Sequence, residues 1–171
     1  AMARAAQVNP AAIREAIRSF KLDAHRIELV GESDGIRWFD DSKATNPHAA
    51  AASLSSFEKV VWVVGGLLKG VDLRPLVERF ADRLRAAIVI GADRSAVLEA
   101  LAAGAPNVPV AEVVGENIMT DAVARAKEFA QSGDVVLLAP AAASMDQFKD
   151  YADRGSKFAE AVRAAGLDGE V

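Results

Sequence analysis

Cysteine is absent from the 171 residues. That excludes disulfides, thiolate metal sites and cysteine nucleophiles, and it permits a reducing, cytoplasmic setting. Long apolar runs are missing too. The longest, around Val60 to Leu68, is far short of the roughly 20 residues a membrane-spanning helix needs, so no membrane insertion is expected. Basic charge is not in excess: 20 Lys and Arg face 24 Asp and Glu, for a net charge of −4 and a pI of about 5.2. A nucleic-acid binder normally carries a basic face, so nucleic acid is not an expected partner. The N-terminus has no basic stretch followed by an apolar one, which argues against a signal peptide. It runs straight into a helical pattern, as expected of a cut inside a longer protein. Two phosphate-binding fingerprints are also lacking. The G-x-x-x-x-G-K-[ST] loop fails because Gly70 follows Lys69, and G-x-G-x-x-G does not occur. There is no internal repeat, low-complexity tract or long linker.

What is present is a globular profile: 51% hydrophobic and 26% charged residues, enough for one sizeable core or one domain plus a fragment of another. Asn9-Pro10 pairs an N-cap with a first-turn proline, and Ile13, Ala16, Ile17 and Phe20 then share a helical face. A break follows at Lys21 to Ala24. Ile27–Val30 and Ile36–Phe39 flank the turn signal Asp34-Gly35 and predict a hairpin. Asn46-Pro47 opens an alanine-rich helix to about Phe57. Lys59–Val64 predicts a strand buried on both faces. Leu73, Leu76, Val77, Phe80 and Leu84 predict the next helix, and Ala87–Ile90 the next strand. Asp93 or Ser95 would cap a helix through Leu101. Val108–Val114, interrupted by Pro109, reads as an edge strand. A helix over Asn117–Gln131, a buried strand over Asp134–Pro140 and a last helix through Phe158 and Val162 complete the chain. The alternation predicts an α/β, Rossmann-like, mostly parallel sheet with helices on both faces and an N-terminal hairpin.

In such sheets ligands bind at the carboxyl ends of strands, and three loops there carry chemistry. Asp40 to Asn46 holds two carboxylates, two hydroxyls and an ammonium. It fits either a solvated, well-capped turn or an anion site at a helix start. Gly65 to Gly70 holds Lys69, and fits a tight turn with an exposed lysine or a cation for a carboxylate or phosphate. In Pro140 to Phe148, small residues let a ligand approach the backbone, and Ser144 would cap the last helix, donate to an anion, or both. Upstream, His25 reads as a structural hydrogen-bonder and Arg26 as a grip on phosphate. His48 reads as solvated. Asp40, Asp41 and Asp72 have no recognisable metal-ligand spacing, no metal is expected on these residues, and no nucleophilic triad is visible.

Taken together, Asp40-Asp41-Ser42-Lys43-Ala44-Thr45-Asn46, Gly65-Gly66 with Lys69-Gly70 and Asp72, and Leu138-Ala139-Pro140 with Ala143-Ser144-Met145-Asp146-Gln147-Phe148, Tyr151, Arg154-Gly155 and Phe158 resemble the D-glutamate-adding branch of the Mur ligase family. His25-Arg26 stands at the matching distance upstream. The resemblance covers nearly the whole chain. Sister Mur ligases and folylpolyglutamate synthase share the fold, but D-S-K-A-T-N and S-x-D-Q-F look like the D-glutamate branch in particular.

The resemblance implies the third domain (residues 23–171) of a three-domain cytoplasmic, monomeric enzyme of peptidoglycan synthesis, with the last helix of its central ATPase domain (residues 1–22) attached. That enzyme phosphorylates the terminal carboxylate of UDP-N-acetylmuramoyl-L-alanine with ATP. The amine of D-glutamate then attacks the acyl phosphate. The P-loop and Mg2+ ligands belong to the central domain, so the chain alone is expected not to ligate. Carried over residue by residue, Thr45, Lys69, Ser144, Met145 and Tyr151 would contact D-glutamate. Arg26, Asp41 and Lys43 would face ATP, with Asp41 on the ribose. Lys43 and His25 would be catalytic, with His25 near the nucleotide or the acyl phosphate. Tyr151 stands where the family commonly has phenylalanine, and Ala142 where cysteine is frequent. Two other readings of the same loops are a stand-alone module for a small anion and a set of purely structural turns.

Overall fold

A computed structural model describes residues 8–19, 23–167 and 169. Helix α1 spans Pro10–Ser19, with Pro10 in its first turn and the Asn9 side chain accepting the Ala11 N–H at 2.8 Å. It buries none of its residues. Phe20 and the first part of the expected break, with the 22/23 domain boundary, lie outside the described residues. Strands β1 (Glu28–Ser33) and β2 (Ile36–Asp40) form the antiparallel hairpin. Its two-residue turn puts Asp34 at φ 56° and Gly35 at φ 75°, the left-handed pair that matches the twist of the strands and that Asp-Gly adopts readily. Helix α2 (Pro47–Ser55) follows, capped by Asn46, whose side chain accepts the Ala49 N–H.

The rest alternates: β3 (Val60–Gly65), α3 (Arg74–Phe80), a short 3-10 turn, β4 (Leu84–Ile90), α4 (Ser95–Gly104), β5 (Val110–Glu112), α5 (Ile118–Phe129), β6 (Val135–Leu138) and α6 (Tyr151–Ala164). One expectation is corrected here. Leu84 belongs to β4, not to the preceding helix, and β4 begins three residues before Ala87. Arg83 explains the break, because its guanidinium donates to the carbonyls of Ser55 and Phe57 and pins the end of α3 to the end of α2.

The sheet order is β1-β2-β6-β3-β4-β5, parallel except for β1. Period-two alternation divides the core. Val60, Trp62, Val64, Val135 and Leu137 pack with α2, α3 and α4 on one face. Val61, Val63, Val136 and Leu138 pack with α5 and α6 on the other. Every residue of β3 and β6 is buried, as continuous β-branched and leucine runs require. β5 lies at the edge, where Pro109 contributes its carbonyl to the Ala87 N–H. Among the described residues no helix is long and apolar enough to cross a membrane.

The last strand in sequence, β6, inserts between β2 and β3. The loops after β2, β6 and β3 are therefore neighbours at one sheet end, although about 100 residues separate the first from the last.

Two buried tryptophans supply a test of this core. Trp62 Nε1–H donates to the Ala139 carbonyl at 2.7 Å, whereas the buried Trp38 Nε1 has no partner among the described residues. Both substitutions to Phe leave a similar void, but Trp62→Phe also orphans a buried carbonyl. Trp62→Phe is expected to cost about 1–3 kcal/mol more than Trp38→Phe, read from urea midpoints at unchanged slope.

Candidate functional site

At the end of β2 the chain turns inside a net of its own polar groups. The Asp41 N–H continues the ladder to the Leu138 carbonyl at 2.8 Å. Asp40, fully buried, accepts the Ser42 N–H on Oδ1 (2.8 Å) and faces His25 Nδ1 with Oδ2 (2.6 Å). That contact commits Nδ1 and leaves Nε2 as the outward nitrogen of His25. The ring meets Tyr151 edge-on, with centroids 6.4 Å apart. Space for the pair comes from Gly155 on α6. A Cβ there would collide with His25 Nδ1 and Asp40 Oδ2, which accounts for a glycine inside a helix, where it costs about 1 kcal/mol relative to alanine.

The expected site residues of this loop divide in two. Asp41 is 4% exposed, and its carboxylate accepts from the Ser53 hydroxyl and the Ile27 N–H. Lys43 and Arg26 instead reach the surface, where Asp23 holds both: Lys43 Nζ lies 2.7 Å and Arg26 3.5 Å from its Oδ2. Lys43 also sits 5.8 Å from the centroid of the Tyr151 ring. Thr45 is half-buried, with its N–H on the Lys43 carbonyl.

The β6 loop is fastened on both sides. The Ala141 N–H reaches the Ala44 carbonyl at 3.0 Å, the Gly65 N–H reaches Pro140, and Leu67 and Ala143 exchange two backbone bonds of 2.9 and 3.2 Å. Gln147 and Asp146 side chains accept the N–H groups of Gly91 and Ala92. Ser144 is 3% exposed, Met145 64% and Tyr151 38%. Ser144 does not cap the last helix. Helix α6 begins at Tyr151, where Asp150 accepts the Asp153 N–H. The Ser144 carbonyl instead closes a turn onto Gln147 and Phe148. Lys69, at φ 54°, is exposed on the β3 loop beside an open concavity that includes Leu67, Val71, Ala92 and Asp146. Among the described residues it has no ion-pair partner. The structure thus brings His25, Lys43 and Tyr151 together. Ser144 and Lys69 sit on the two loops joined by the Leu67–Ala143 bridge.

The electrostatics follow burial. Desolvation pushes the Asp40 carboxyl above the ordinary carboxylate value, with the His25 hydrogen bond pulling the other way. Burial raises Asp41 likewise, against Ser53 and Ile27. Asp23 is held low by the hydrogen bond from Lys43. The one cluster of potential metal ligands among the described residues is His25, Glu28 and Asp40. Its geometry is accounted for by the His25–Asp40 contact and by Glu28 accepting the His25 N–H at 2.8 Å. For a polyphosphate the loop presents two cations, Lys43 and Arg26.

Two residues escaped the sequence reading. Asp40 was visible only as one of two adjacent carboxylates, and its pairing with His25 spans 15 residues. Arg154 had no assigned role. It is fully buried, and its guanidinium donates to the Ser42 hydroxyl (2.9 Å), the Ser42 carbonyl (2.8 Å) and the Ala142 carbonyl (3.1 Å). Burial pulls it down to about 10.

The chain resembles known proteins in family, sequence and fold. The family described as "Mur ligase, glutamate ligase domain" matches residues 25–142. The chain is 57% identical over 165 residues to the UDP-N-acetylmuramoylalanine–D-glutamate ligase of Leifsonia xyli subsp. xyli, covering 95% of this chain and 32% of that protein. It is 52% identical to the ligase of the same name from Thermobifida fusca, covering 96% and 36%. The chain therefore spans about a third of the length of the curated relatives it matches. The solved UDP-N-acetylmuramate-alanine ligase of Thermotoga maritima shares the fold, at a TM-score of 0.61 and 14% identity over 96% of this chain and 36% of that one.

The raised carboxyl of Asp41 has a definite pH signature. Between the unfolded value of 3.8 and the higher folded value, the folded state binds more protons than the unfolded one. The stability from this group is fully present below 3.8 and is lost as pH rises through the folded value. The urea stability of the wild type minus that of Asp41→Asn is expected to fall over that window and then level off. A difference that rises with pH contradicts the burial argument.

Proposed function

The chain belongs to the Mur ligase family, in its glutamate ligase domain, and from that premise we propose that it is the C-terminal part, about residues 23–171, of an ATP-dependent ligase that joins D-glutamate to UDP-N-acetylmuramoyl-L-alanine. Residues 1–22 would end the preceding ATPase domain. The observation that carries the reading is the convergence of three loops at adjacent strand ends, with cations and hydroxyls suited to a dianionic amino acid.

In this reading Lys69 pairs with a carboxylate of D-glutamate, while Thr45 and Ser144 donate to its carboxylates. Tyr151 and Met145 wall the pocket. The binding of both carboxylates leaves the α-amine as the group free to react. Lys43 and Arg26 take phosphate oxygens of the nucleotide in exchange for Asp23, an exposed partner whose release costs little. Asp41 has accepted two hydrogen bonds of the roughly four a carboxylate can take, so a ribose hydroxyl can add to them. ATP, held mainly by the preceding domain together with Mg2+, supplies the phosphoryl group that activates the acceptor carboxylate. His25, oriented through Nδ1 by Asp40, directs Nε2 toward the acyl phosphate, and Lys43 stabilises negative charge on the departing phosphate. The amine adds to the acyl carbon and loses a proton to solvent, and the tetrahedral intermediate collapses to the amide as the C–O bond breaks and inorganic phosphate leaves with its electron pair. The setting proposed is cytoplasmic and monomeric.

D-Glutamate titrated into the chain is expected to shift amide NMR signals in the three loops, with L-glutamate much weaker. Lys69→Ala removes one charge-assisted contact, so its D-glutamate affinity is expected to drop roughly ten- to a hundredfold. Shifts that are the same for both enantiomers, or a D-glutamate affinity unchanged in Lys69→Ala, would sink the assignment of the amino-acid site. The chain by itself should release no ADP in a coupled assay containing both substrates. Substrate-dependent turnover would show that the ATP site does not need a preceding domain.

A further inference from the structure

Arg154 is the only arginine among the described residues that is fully buried, and no carboxylate there lies within ion-pair distance of it. As a contribution to stability this arrangement is poor. A buried charge whose direct acceptors are all neutral loses its hydration, with Asp146 and Asp40 offsetting this only from beyond ion-pair distance, and an apolar side chain of similar volume commonly serves a core as well or better. What an apolar residue cannot do is make three hydrogen bonds in fixed directions. The planar guanidinium can. Nε and one Nη hold the hydroxyl and carbonyl of Ser42, and the other Nη holds the Ala142 carbonyl. The Ser42 hydroxyl passes the connection on to the Tyr151 carbonyl at 2.7 Å. Above the same Nη runs the β3 loop: a Cβ on Gly66 would meet both Arg154 and the Ala143 carbonyl.

Each atom in this knot is a neighbour in sequence of a residue assigned to the site. Ser42 precedes Lys43, Ala142 is two residues before Ser144, and Tyr151 opens the helix that carries Arg154. Lys43 belongs to the phosphate half of the site, and Ser144 and Tyr151 to the amino-acid half. We propose that Arg154 is a positioning residue that sets the separation of the two half-sites, touching neither substrate. This rests on the ligase reading above. It predicts an unusual kinetic pattern. Loosening the knot leaves each half-site able to bind its own substrate, so both KM values hold. The amine and the acyl phosphate no longer meet in line, so kcat falls, and a displacement near 1 Å can lower a rate about a hundredfold.

The test is steady-state kinetics in the full-length ligase. Arg154→Lys keeps the charge but cannot reach both loops. It should lower kcat about a hundredfold, with KM for D-glutamate and for ATP each within about threefold and a cooperative thermal transition retained. Ser42→Ala removes the hydroxyl that joins Arg154 to Tyr151, and should lower kcat about tenfold with the same KM pattern. The double variant should be no slower than Arg154→Lys, because both changes cut one linkage. The proposal is overturned if kcat of Arg154→Lys stays within threefold of wild type, if KM rises at constant kcat, or if the loss matches the unfolded fraction. Should Arg154→Lys fail to fold, Ser42→Ala decides alone, and an unchanged kcat there overturns the proposal. Wild-type protein without turnover refutes the ligase reading itself, and this inference with it. Wild-type turnover with intact variants refutes only the inference.

Discussion

The insertion of β6 between β2 and β3 is the constraint on which the rest depends. A parallel strand buried on both faces has no alternative to pairing on both sides, because each unpaired N–H or carbonyl there would be orphaned away from water. Pairing with Arg37–Asp40 on one side and Val60–Val63 on the other fixes the register of both neighbours. Once it is fixed, the loops that leave the three strands have nowhere to go but beside one another. Their backbone bonds, Ala141 to Ala44, Gly65 to Pro140 and Leu67 to Ala143, extend the sheet's hydrogen bonding past its own edge into the site.

The site's polar residues form two tiers. The lower tier is buried and hydrogen-bonded in two sets, Asp40 with Ser42 and Arg154, and Asp41 with Ser53. The upper tier, Lys43, Arg26, Lys69, Met145 and Tyr151, is exposed to varying degrees. Burying the lower tier is unfavourable, as the raised carboxyls and the lowered guanidinium record. The return is rigidity. A fully satisfied polar network has one low-energy arrangement, whereas an apolar patch tolerates several.

Much of this was legible in the sequence, for local reasons. The continuous β-branched run of Val60–Val64, the Asp34-Gly35 turn, the Asn46-Pro47 start and the edge signal of Pro109 each depend on a few adjacent residues, and the structure carries all of them. The three loops could be picked out because each follows a strand signal with small or polar residues. What could not be read locally was long-range. The place of β6 in the sheet depends on partners far away in the chain. Leu84 satisfied a helical spacing until Arg83, reaching back to Ser55 and Phe57, ended the helix. Ser144 had the chemistry of a cap, but Asp150 lay closer to where the last helix could start. Arg154 stood in a recognisable motif, yet its acceptors at Ser42 lie 112 positions away.

The two margins of the sheet carry a further consequence. At one margin stands β5, three residues long and preceded by Pro109. At the other, β1 is kinked between Leu29 and Gly31, where its register to β2 shifts. Neither offers the long, flat, unpaired ladder that a second copy of the chain would need to continue the sheet. The outermost strands of a sheet whose centre is as apolar as Val60–Val64 are thus poor templates for edge-to-edge growth.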